Sequence, residues 1–447
     1  MSDLFAARSQ MAISLAFHII FAIVGIAMPL LMVVSERRWQ KTKDPLYLAL
    51  SKLWAKGTAV MFAVGAVSGT ILSFELGLLW PGFMEFAGPI IGMPFSLEGF
   101  AFFVEAIFLG IFLYGRDRIP PRAHLAAGIL VAVSGALSGI FVVMANAWMN
   151  APTGFRMVNG KVVDIDPIAA ALNPAAFSQT LHMTLAAYAA TGMAVAGIHA
   201  LLLLRQPGNA LHRRALVVAL WVGVPASLLQ PISGDISAKF LAQYQPAKFA
   251  AMESHFETER GASLILGGIP DEAVRETHFA IRIPKILSFM AHGDFDAEVK
   301  GLDQIPRDEW PNVPVVHTSF QIMVALGSFM ALVSLVVLVE AARRRDLASN
   351  RLLMKALVAT IPMGFIATEA GWMVTEVGRQ PWIIQGVMRT SEAVTPMPGL
   401  VYPMLFFTAL YVLLAIAVTW LLYRQIRASP DVSEWRRVYL PTVQQRA

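Results

Sequence analysis

Ionisable side chains inside strongly apolar stretches are the first candidates for chemistry in this sequence. Glu98 and Glu105 are seven residues apart in one such stretch, and Glu369 and Glu376 repeat that spacing in another. Seven residues make two helical turns, so each pair shares one helix face. Carboxylates in apolar surroundings need cations, metal ions or protons to neutralise them. The spacing therefore predicts two inward-facing pairs of carboxyl groups.

Histidine and methionine are the remaining soft metal ligands, because the chain has no cysteine. The missing thiols exclude disulfides, zinc–thiolate sites, iron–sulfur clusters and cysteine nucleophiles. An imidazole and a thioether on different helices are a common axial pair for low-spin haem iron. His182 and Met323 are candidates for that pair, although most of the 22 methionines are expected to pack as core residues. His18, by position alone, is either a ligand or a satisfied polar contact.

The densest polar motif is GWMVTEVGRQPW, residues 371–382. It places Glu376 and Arg379 three positions apart, where the two side chains can pair. An arginine in a dry site can also neutralise a haem propionate, and Trp372 can pack on a flat macrocycle. Tryptophan and arginine are equally common as anchors at a membrane boundary. The motif alone leaves both interpretations open.

Membrane spans are the elements that must position these residues. Of the 447 residues, 56% are hydrophobic and 15% are charged, whereas soluble proteins carry roughly 25% charged residues. Crossing the hydrocarbon core takes about 20 apolar residues. The windows that satisfy this length cover 11–34, 57–80, 94–115, 123–148, 178–204, 215–233, 317–341, 356–376 and 399–423. The sequence therefore predicts an all-α integral membrane protein with nine spans and excludes an ordinary soluble enzyme.

The charge pattern of the connecting segments predicts the orientation. Lysine and arginine cluster after the first, third, fifth and seventh windows and in the tail, and such clusters normally face the cytoplasm. The N-terminus is therefore predicted to be periplasmic and the C-terminus cytoplasmic. The net charge of +5 falls in these loops and does not indicate a nucleic-acid partner.

The predicted organisation has four parts: spans one to six in 1–233, an external loop in 234–316, spans seven to nine in 317–423 and a cytoplasmic tail in 424–447. Within the loop, AKFLAQYQPAKFAAMESHFETE has apolar residues at near-helical spacing. That spacing predicts an amphipathic helix against the membrane surface or the helix bundle. The remainder of the loop is predicted to be irregular.

Five segments resemble subunit I of cytochrome bd-type quinol oxidases. They occur in the family's order across nearly the whole chain and read SLEGFAFFVEAIFLG, FSQTLHMT, QPAKFAAMES, HTSFQIMVALG and GWMVTEVGRQPW. The resemblance implies the haem-containing catalytic subunit of a terminal oxidase in the bacterial inner membrane. Such an enzyme oxidises quinol at the periplasmic side and reduces O2 to water with cytoplasmic protons, which generates proton motive force without pumping.

The resemblance also implies a haem-ligand set. His182 and Met323 would ligate a low-spin b haem, while His18 and Glu376 would each ligate one of two high-spin haems. Glu98 would lie beside the oxygen site. The implied cofactors are two b-type haems plus haem d or a third b-type haem, since ligand residues do not distinguish the last two.

Further roles follow from the same resemblance. Lys248 and Glu253 would serve quinol oxidation in the external loop, where a glutamate within reach can accept a quinol proton as general base. Arg8 and Arg379 would hold haem propionates, and Trp372 would lie between haems.

A proton route is implied as well, because oxygen reduction near the outer face must draw protons from the cytoplasm. Glu105 would be its inner gate, with His124, Ser138 and Asn146 along the fourth span. Without the resemblance, Ser138 is equally well explained as a small packing residue. The implied partners are subunit II, a possible very small single-helix subunit, O2, and either ubiquinol or menaquinol.

Two features depart from many members of the family. The external loop is short, which places the chain with the group often described as cyanide-insensitive oxidases. Gln321 stands two residues before the candidate axial methionine, where many members have arginine. Losing that cation is expected to lower the potential of the low-spin haem, because a nearby positive charge favours the reduced state.

Two other classes of protein compete with the oxidase. An ion-coupled transporter also buries glutamates and histidines, but the sequence has no visible repeat and its polar residues gather near one side. A haem-bearing anchor for a separate dehydrogenase would use His182 and Met323 but leave His18, Glu98 and Glu376 without a task. The oxidase accounts for all of them.

Overall fold

The computed structural model describes residues 2–427, so most of the predicted tail 424–447 lies outside the described residues. Its first half consists of α1 (Asp3–Thr42), α2 (Pro45–Leu79), α3 (Pro81–Tyr114), α4 (Pro121–Asn150), β1 (Arg156–Val158), β2 (Lys161–Val163), α5 (Pro167–Ala171), α6 (Ala176–Arg205) and α7 (Ala210–Tyr244).

The second half contains the long loop and the last three long helices. Its elements are α8 (Pro246–Met252), β3 (Glu259–Arg260), β4 (Leu264–Leu266), β5 (Ile269–Asp271), β6 (Glu276–His278), β7 (Ile281–Ile283), α9 (Ile286–His292), β8 (Glu298–Val299), α10 (Val313–Ala342), α11 (Arg351–Val377), β9 (Trp382–Ile384), β10 (Met388–Arg389), α12 (Thr390–Ala393) and α13 (Val401–Arg427). The strands form antiparallel pairs only: β1 with β2, β3 with β8, β4 with β7, β5 with β6 and β9 with β10.

Nine helices within residues 2–427 are long and apolar enough to cross a membrane: α1 to α4, α6, α7, α10, α11 and α13. This confirms the predicted all-α membrane fold. Several starts follow from local sequence. α2, α3 and α4 begin at proline, whose fixed φ suits the first helical position, and the Asn209 side chain caps α7 by accepting from backbone N–H groups.

Three boundaries differ from the sequence expectation. Residues 81–93, expected to be a loop, form the first turns of α3, because Pro81 restarts the helix directly after Trp80. α7 continues to Tyr244, well past the expected end at residue 233, and a Lys239–Asp235 ion pair at i,i+4 supports its polar last turns. The loop that follows is not irregular but contains paired strands and two short helices.

Small residues let the central helices approach closely. α6 packs against both α7 and α11, and α10 packs against the same two helices. A Cβ at Gly192 on α6 would lie 2.6 Å from Gly223 Cα on α7, and one at Gly364 on α11 would lie 2.4 Å from Ala190 Cα. Such contacts are typical of helix pairs in membranes. They bring α6 and α10, which carry His182 and Met323, into one four-helix group.

Connections at one end of the bundle are hydrogen-bonded to one another. Gln385 N–H donates to Met149 O at 2.9 Å, and Thr395 N–H donates to Leu79 O at 2.9 Å. The long loop lies at this same end, because it joins the end of α7 to the start of α10. The predicted periplasmic end is therefore a layer of interlocked loops.

Candidate functional site

A continuous chain of hydrogen bonds runs through the interlocked end. Arg379 Nη2 donates to Glu376 Oε2 at 2.6 Å, and Asn146 Nδ2 donates to Glu376 Oε1 at 2.6 Å. Asn150 Nδ2 donates back to Asn146 O at 3.0 Å. Lys248 Nζ in turn donates to Asn150 Oδ1 at 2.5 Å. The chain thus joins residues predicted for haem binding, for the proton route and for quinol oxidation.

Asn150 is the connecting residue that sequence reasoning missed. Besides the Lys248 ammonium, it accepts Gln245 Nε2 at its backbone oxygen, at 3.0 Å. Asn150 lies one helical turn after Asn146, so both amides share a face of α4. That spacing was a visible signal, but the lysine on the other side of the amide is 98 residues away in sequence.

Two buried cations meet beside this chain. Arg379 is 2% exposed, and its Nε and Nη1 atoms have no partner among the described residues. Burial and the nearby guanidinium together lower the pKa of Lys248 well below its usual range. A cavity of about 150 Å³ is lined by both side chains together with Gln245 and Gln385. Buried donors without partners are costly, so the Nε and Nη1 atoms of Arg379 call for a hydrogen-bond acceptor.

A serine on α2 holds the His18 ring. Ser68 Oγ lies 2.9 Å from His18 Nδ1 and is also within donating distance of Val64 O, at 3.0 Å. Because the hydroxyl proton goes to the carbonyl, Ser68 Oγ accepts from Nδ1–H and leaves Nε2 as the lone-pair nitrogen. A Cβ at Gly69 would lie 3.0 Å from His18 Cε1, so glycine leaves room for the ring.

A serine on α7 holds His182 in the same way. Ser233 Oγ lies 2.9 Å from His182 Nδ1 and donates to Gln230 O at 2.8 Å, so it also accepts from Nδ1–H. His182 Nε2 is left as an acceptor, and Gln230 Nε2 lies 3.2 Å from it. A Cβ at Gly234 would lie 3.7 Å from His182 Cε1.

Each predicted haem histidine therefore faces a serine–glycine pair on the neighbouring helix, Ser68–Gly69 for His18 and Ser233–Gly234 for His182. A neutral imidazole whose Nδ1–H is held and whose Nε2 carries the lone pair is the form that ligates metals. The sequence shows both serine–glycine pairs, but nothing in it indicates which histidine each pair contacts.

Met323 and Trp372 are placed by packing. A Cβ at Gly371 on α11 would lie 3.0 Å from Met323 Sδ, so this glycine leaves space for the thioether. Trp372 packs with Ile19 and Ile23 of α1 and with Ala187 of α6. It thus lies where α11 packs against the α1–α6 contact, and its predicted position between haems stays a prediction. Arg8 is exposed in the second turn of α1, and the hydrogen-bonded chain does not include it.

The carboxyl groups of α3 face α4. Ser138 Oγ donates to Glu98 Oε1 at 3.3 Å. One turn earlier, a Cβ at Gly135 would lie 3.2 Å from Glu105 Oε1, and this buried oxygen has no partner among the described residues. Ser138 therefore contacts a carboxyl group and is not only a packing residue.

His124 lies in a polar cluster at the opposite, predicted cytoplasmic end. Its Nδ1 is 3.3 Å from Glu36 Oε1, and its Nε2 is 2.9 Å from Phe112 O. Arg116 binds both oxygens of Glu36, at 3.1 and 2.8 Å, and Ser51 donates to the same carboxylate at 3.0 Å. His124, Gly135, Ser138 and Asn146 lie on nearly one face of α4.

The two residues predicted for quinol oxidation lie in α8 and directly after it. Lys248 lies within this helix, and Glu253 follows its last residue. Glu253 is buried and its Oε2 has no partner among the described residues. Burial raises the pKa of Glu253 to about 8. The carboxyl group can therefore exchange a proton near neutral pH, as a general base requires.

The donor set fits haem. Imidazole and thioether groups are haem-iron ligands, glycines leave room beside His18, His182 and Met323, and the unpartnered Arg379 donors suit a propionate. Within residues 2–427, no cluster of three or more histidine, aspartate or glutamate side chains could hold a bare metal ion.

Comparisons with known proteins agree with this chemistry. The family profile described as "Cytochrome bd terminal oxidase subunit I" matches residues 6–430. A Bacillus subtilis protein named "Putative cytochrome bd menaquinol oxidase subunit I" is 39% identical over 96% of this chain and 98% of its own length. Another, "Cytochrome bd ubiquinol oxidase subunit 1", is 31% identical over 96% of this chain and 95% of its own.

A solved structure shows the same fold. The bd oxidase from Geobacillus thermodenitrificans matches with a TM-score of 0.91 and 39% identity, covering 96% of this chain and 99% of that one. The sequence resemblance and the membrane fold with nine spans among the described residues are thus confirmed, and the chain belongs to the cytochrome bd terminal oxidase subunit I family.

Proposed function

We propose that quinol is oxidised beside Lys248 and Glu253, at the periplasmic end of a chain that is the haem-binding catalytic subunit of a terminal respiratory quinol oxidase. The observation that carries the proposal is the hydrogen-bonded chain from Lys248 through Asn150 and Asn146 to Glu376. It links Lys248, which is assigned to quinol, with Glu376, which is assigned to a haem.

The haem assignments come from the family resemblance, and the side-chain geometry supports them. His182 and Met323 would hold the low-spin b haem, while His18 and Glu376 would each hold one high-spin haem. Bound haem supplies one-electron transfer and the reduction of O2. The third haem is of d or b type.

Positioning and charge compensation fall to other residues. Arg379, with two unpartnered donors, and Arg8 would neutralise propionates. Trp372, which packs against the apolar cluster of α1 and α6, would lie between haems.

Proton release from quinol falls to Glu253. Its raised pKa, about 8, matches a base that takes up a proton and passes it on near neutral pH. Lys248 contributes a donor held by Asn150 Oδ1 at 2.5 Å. A buried ammonium with a lowered pKa is well suited to hydrogen-bond a quinol oxygen and then let the product leave.

Protons for water formation enter from the other end. The route passes from His124 to Glu105 and then along α4 through Ser138, with Glu98 beside it, to Asn146 at the Glu376 carboxylate. Supporting contacts are the Ser138–Glu98 and Asn146–Glu376 hydrogen bonds. No residue on this route needs to face first one side of the membrane and then the other. This agrees with charge separation without pumping.

The working complex contains subunit II and uses either ubiquinol or menaquinol, with a very small single-helix subunit as a possible third member. By the resemblance, the short external loop groups the enzyme with the short-loop members that are often described as cyanide-insensitive oxidases. The two Bacillus subtilis relatives carry different quinol types in their names, so they do not select one.

A reduced-minus-oxidised spectrum of the purified complex, with pyridine haemochrome analysis and quinol-dependent oxygen uptake, tests the proposal. A red chlorin band beside b-type bands indicates haem d, and b-type bands alone with intact oxygen uptake indicate a third b haem. An intact complex without haem would contradict the assignment.

An Asn150→Ala variant tests the connecting chain. We expect quinol-dependent oxygen uptake to fall at least tenfold with an unchanged dithionite-reduced spectrum, because loss of a hydrogen bond to a charged group costs roughly 1.5–3 kcal/mol. Asn173→Ala is the matched control, because Asn173 is a buried asparagine that is not part of the hydrogen-bonded chain. Full activity in Asn150→Ala would remove the observation on which the quinol site rests.

A further inference from the structure

A small sheet in the long loop presents one apolar face. In the β4–β7 pair, Leu264 lies opposite Ile283 and Leu266 lies opposite Ile281. Directly opposed residues point to the same side of a sheet, so these four side chains share one face. Ile265 points the other way and is buried. Leu264 also packs against a buried cluster that includes Phe256, so the exposed apolar part of this face is Leu266, Ile281 and Ile283.

The turns beside this sheet add further exposed apolar side chains. Phe279, which has a positive φ, is 93% exposed, Ile281 is 67% exposed and Ile269 is 64% exposed. Together with Leu266 they form what we call the apolar lip: Leu266, Ile269, Phe279 and Ile281. A water-facing loop rarely carries so much exposed apolar surface without a partner.

Two side chains of α10 fix the turn that carries the lip. Gln321 Nε2 donates to Ile265 O at 3.0 Å, and Gly267 N–H donates to Gln321 Oε1 at 3.0 Å. One turn earlier, His317 is fully buried and its Nε2 lies 3.0 Å from Gly267 O. The lip therefore has a defined height along α10.

That height is the outer edge of the hydrocarbon core. From Ile322 to Val339, α10 has no charged residue, and these residues span about 27 Å at 1.5 Å per residue, close to the 30 Å of a bilayer core. Gln321 directly precedes this run. Ile322 and Val324 on the run are exposed apolar side chains.

We propose that the apolar lip inserts into the outer leaflet and contacts lipid acyl chains, as a continuation of the lipid-facing surface of α10. In the neighbouring β5–β6 pair, Asp271 and Glu276 lie opposite each other at the far turn. This polar turn stays in water. The proposal concerns membrane contact and is independent of where quinol is oxidised.

Site-directed spin labelling of the complete complex in lipid nanodiscs tests the lip. The chain has no cysteine, so Phe279→Cys introduces a single label site in it, and the unsubstituted complex gives the background of other subunits. Ile281→Cys is a second lip position if the first variant fails to assemble. The matched control, Glu276→Cys, is exposed in the same loop at the polar turn.

Collision with oxygen, which concentrates in lipid, is compared with collision with a water-soluble nickel chelate. We expect the oxygen-to-nickel collision ratio at the lip to exceed that at Glu276→Cys several-fold. Equal ratios would overturn the proposal, because the lip would then face water. An immobile label shielded from both reagents would also overturn it, because a protein surface would then cover the lip.

Discussion

At the residue scale, two serines set the form of the predicted haem histidines. Ser233 accepts from His182 Nδ1–H, and a held Nδ1–H makes an imidazole a more basic ligand, which favours oxidised iron. Ser233→Ala removes this bond. We expect the low-spin haem potential to rise by up to about 40 mV, the one-electron equivalent of about 1 kcal/mol.

Redox titration of the low-spin haem band measures the Ser233→Ala shift. Ser237→Ala is the control, since Ser237 lies one turn further along α7 and donates to Ser233 O. An equal shift in both variants would assign the effect to helix packing and not to the imidazole.

The pKa of Glu253 predicts a pH dependence of quinol oxidation. Burial raises this pKa to about 8, so the basic carboxylate is scarce below that pH and becomes abundant above it. We expect kcat/KM for quinol to rise as the pH increases through about 8 and then to level off. Glu253→Gln should remove this rise and lower the rate about 100-fold or more. The same rise in Glu253→Gln would exclude Glu253 as the titrating base.

At the scale of elements, the space beside Met323 is set by how α10 packs on α11. A Cβ at Gly371 would lie 3.0 Å from Met323 Sδ, closer than ordinary contact. In Gly371→Ala we expect the thioether to shift and the reduced low-spin haem spectrum to change. Gly327→Ala on α10 is the control, because a Cβ there meets nothing within 4 Å and alanine favours the helix by about 1 kcal/mol. An unchanged Gly371→Ala spectrum would argue against Met323 as the ligand.

Helices and contacts could be predicted from the sequence where a single physical rule determines them. A length of apolar residues suffices to identify each span, and the i,i+3 spacing of Glu376 and Arg379 suffices to predict their pairing, seen at 2.6 Å. The start of α3 and the extension of α7 were not predictable, because polar residues at a membrane surface can be helical or irregular. The contact of Lys248 with Asn150 depends on how α8 packs against the bundle, which no local pattern encodes.

At the scale of the whole molecule, the groups proposed for chemistry and the groups proposed for proton entry occupy opposite ends. Arg379, Glu376 and Lys248 share the loop-covered end, whereas His124, Glu36 and Arg116 cluster at the other. In the proposed mechanism, quinol protons leave on one side and water-forming protons enter from the other. Turnover therefore moves charge across the membrane even though no proton crosses the full thickness.

This separation predicts that Glu105 controls charge movement more than quinol binding. Its carboxyl oxygen lies beside the Gly135 position, with no partner among the described residues, between the His124 cluster and Ser138. In Glu105→Gln, the side chain keeps its size but cannot release a proton. We expect proteoliposomes to develop membrane potential at least tenfold more slowly, with an unchanged KM for quinol. Glu340→Gln, a buried carboxylate near the cytoplasmic end of α10 that contacts Arg345, is the matched control. Wild-type charging in Glu105→Gln would mean that protons reach the oxygen site by another route.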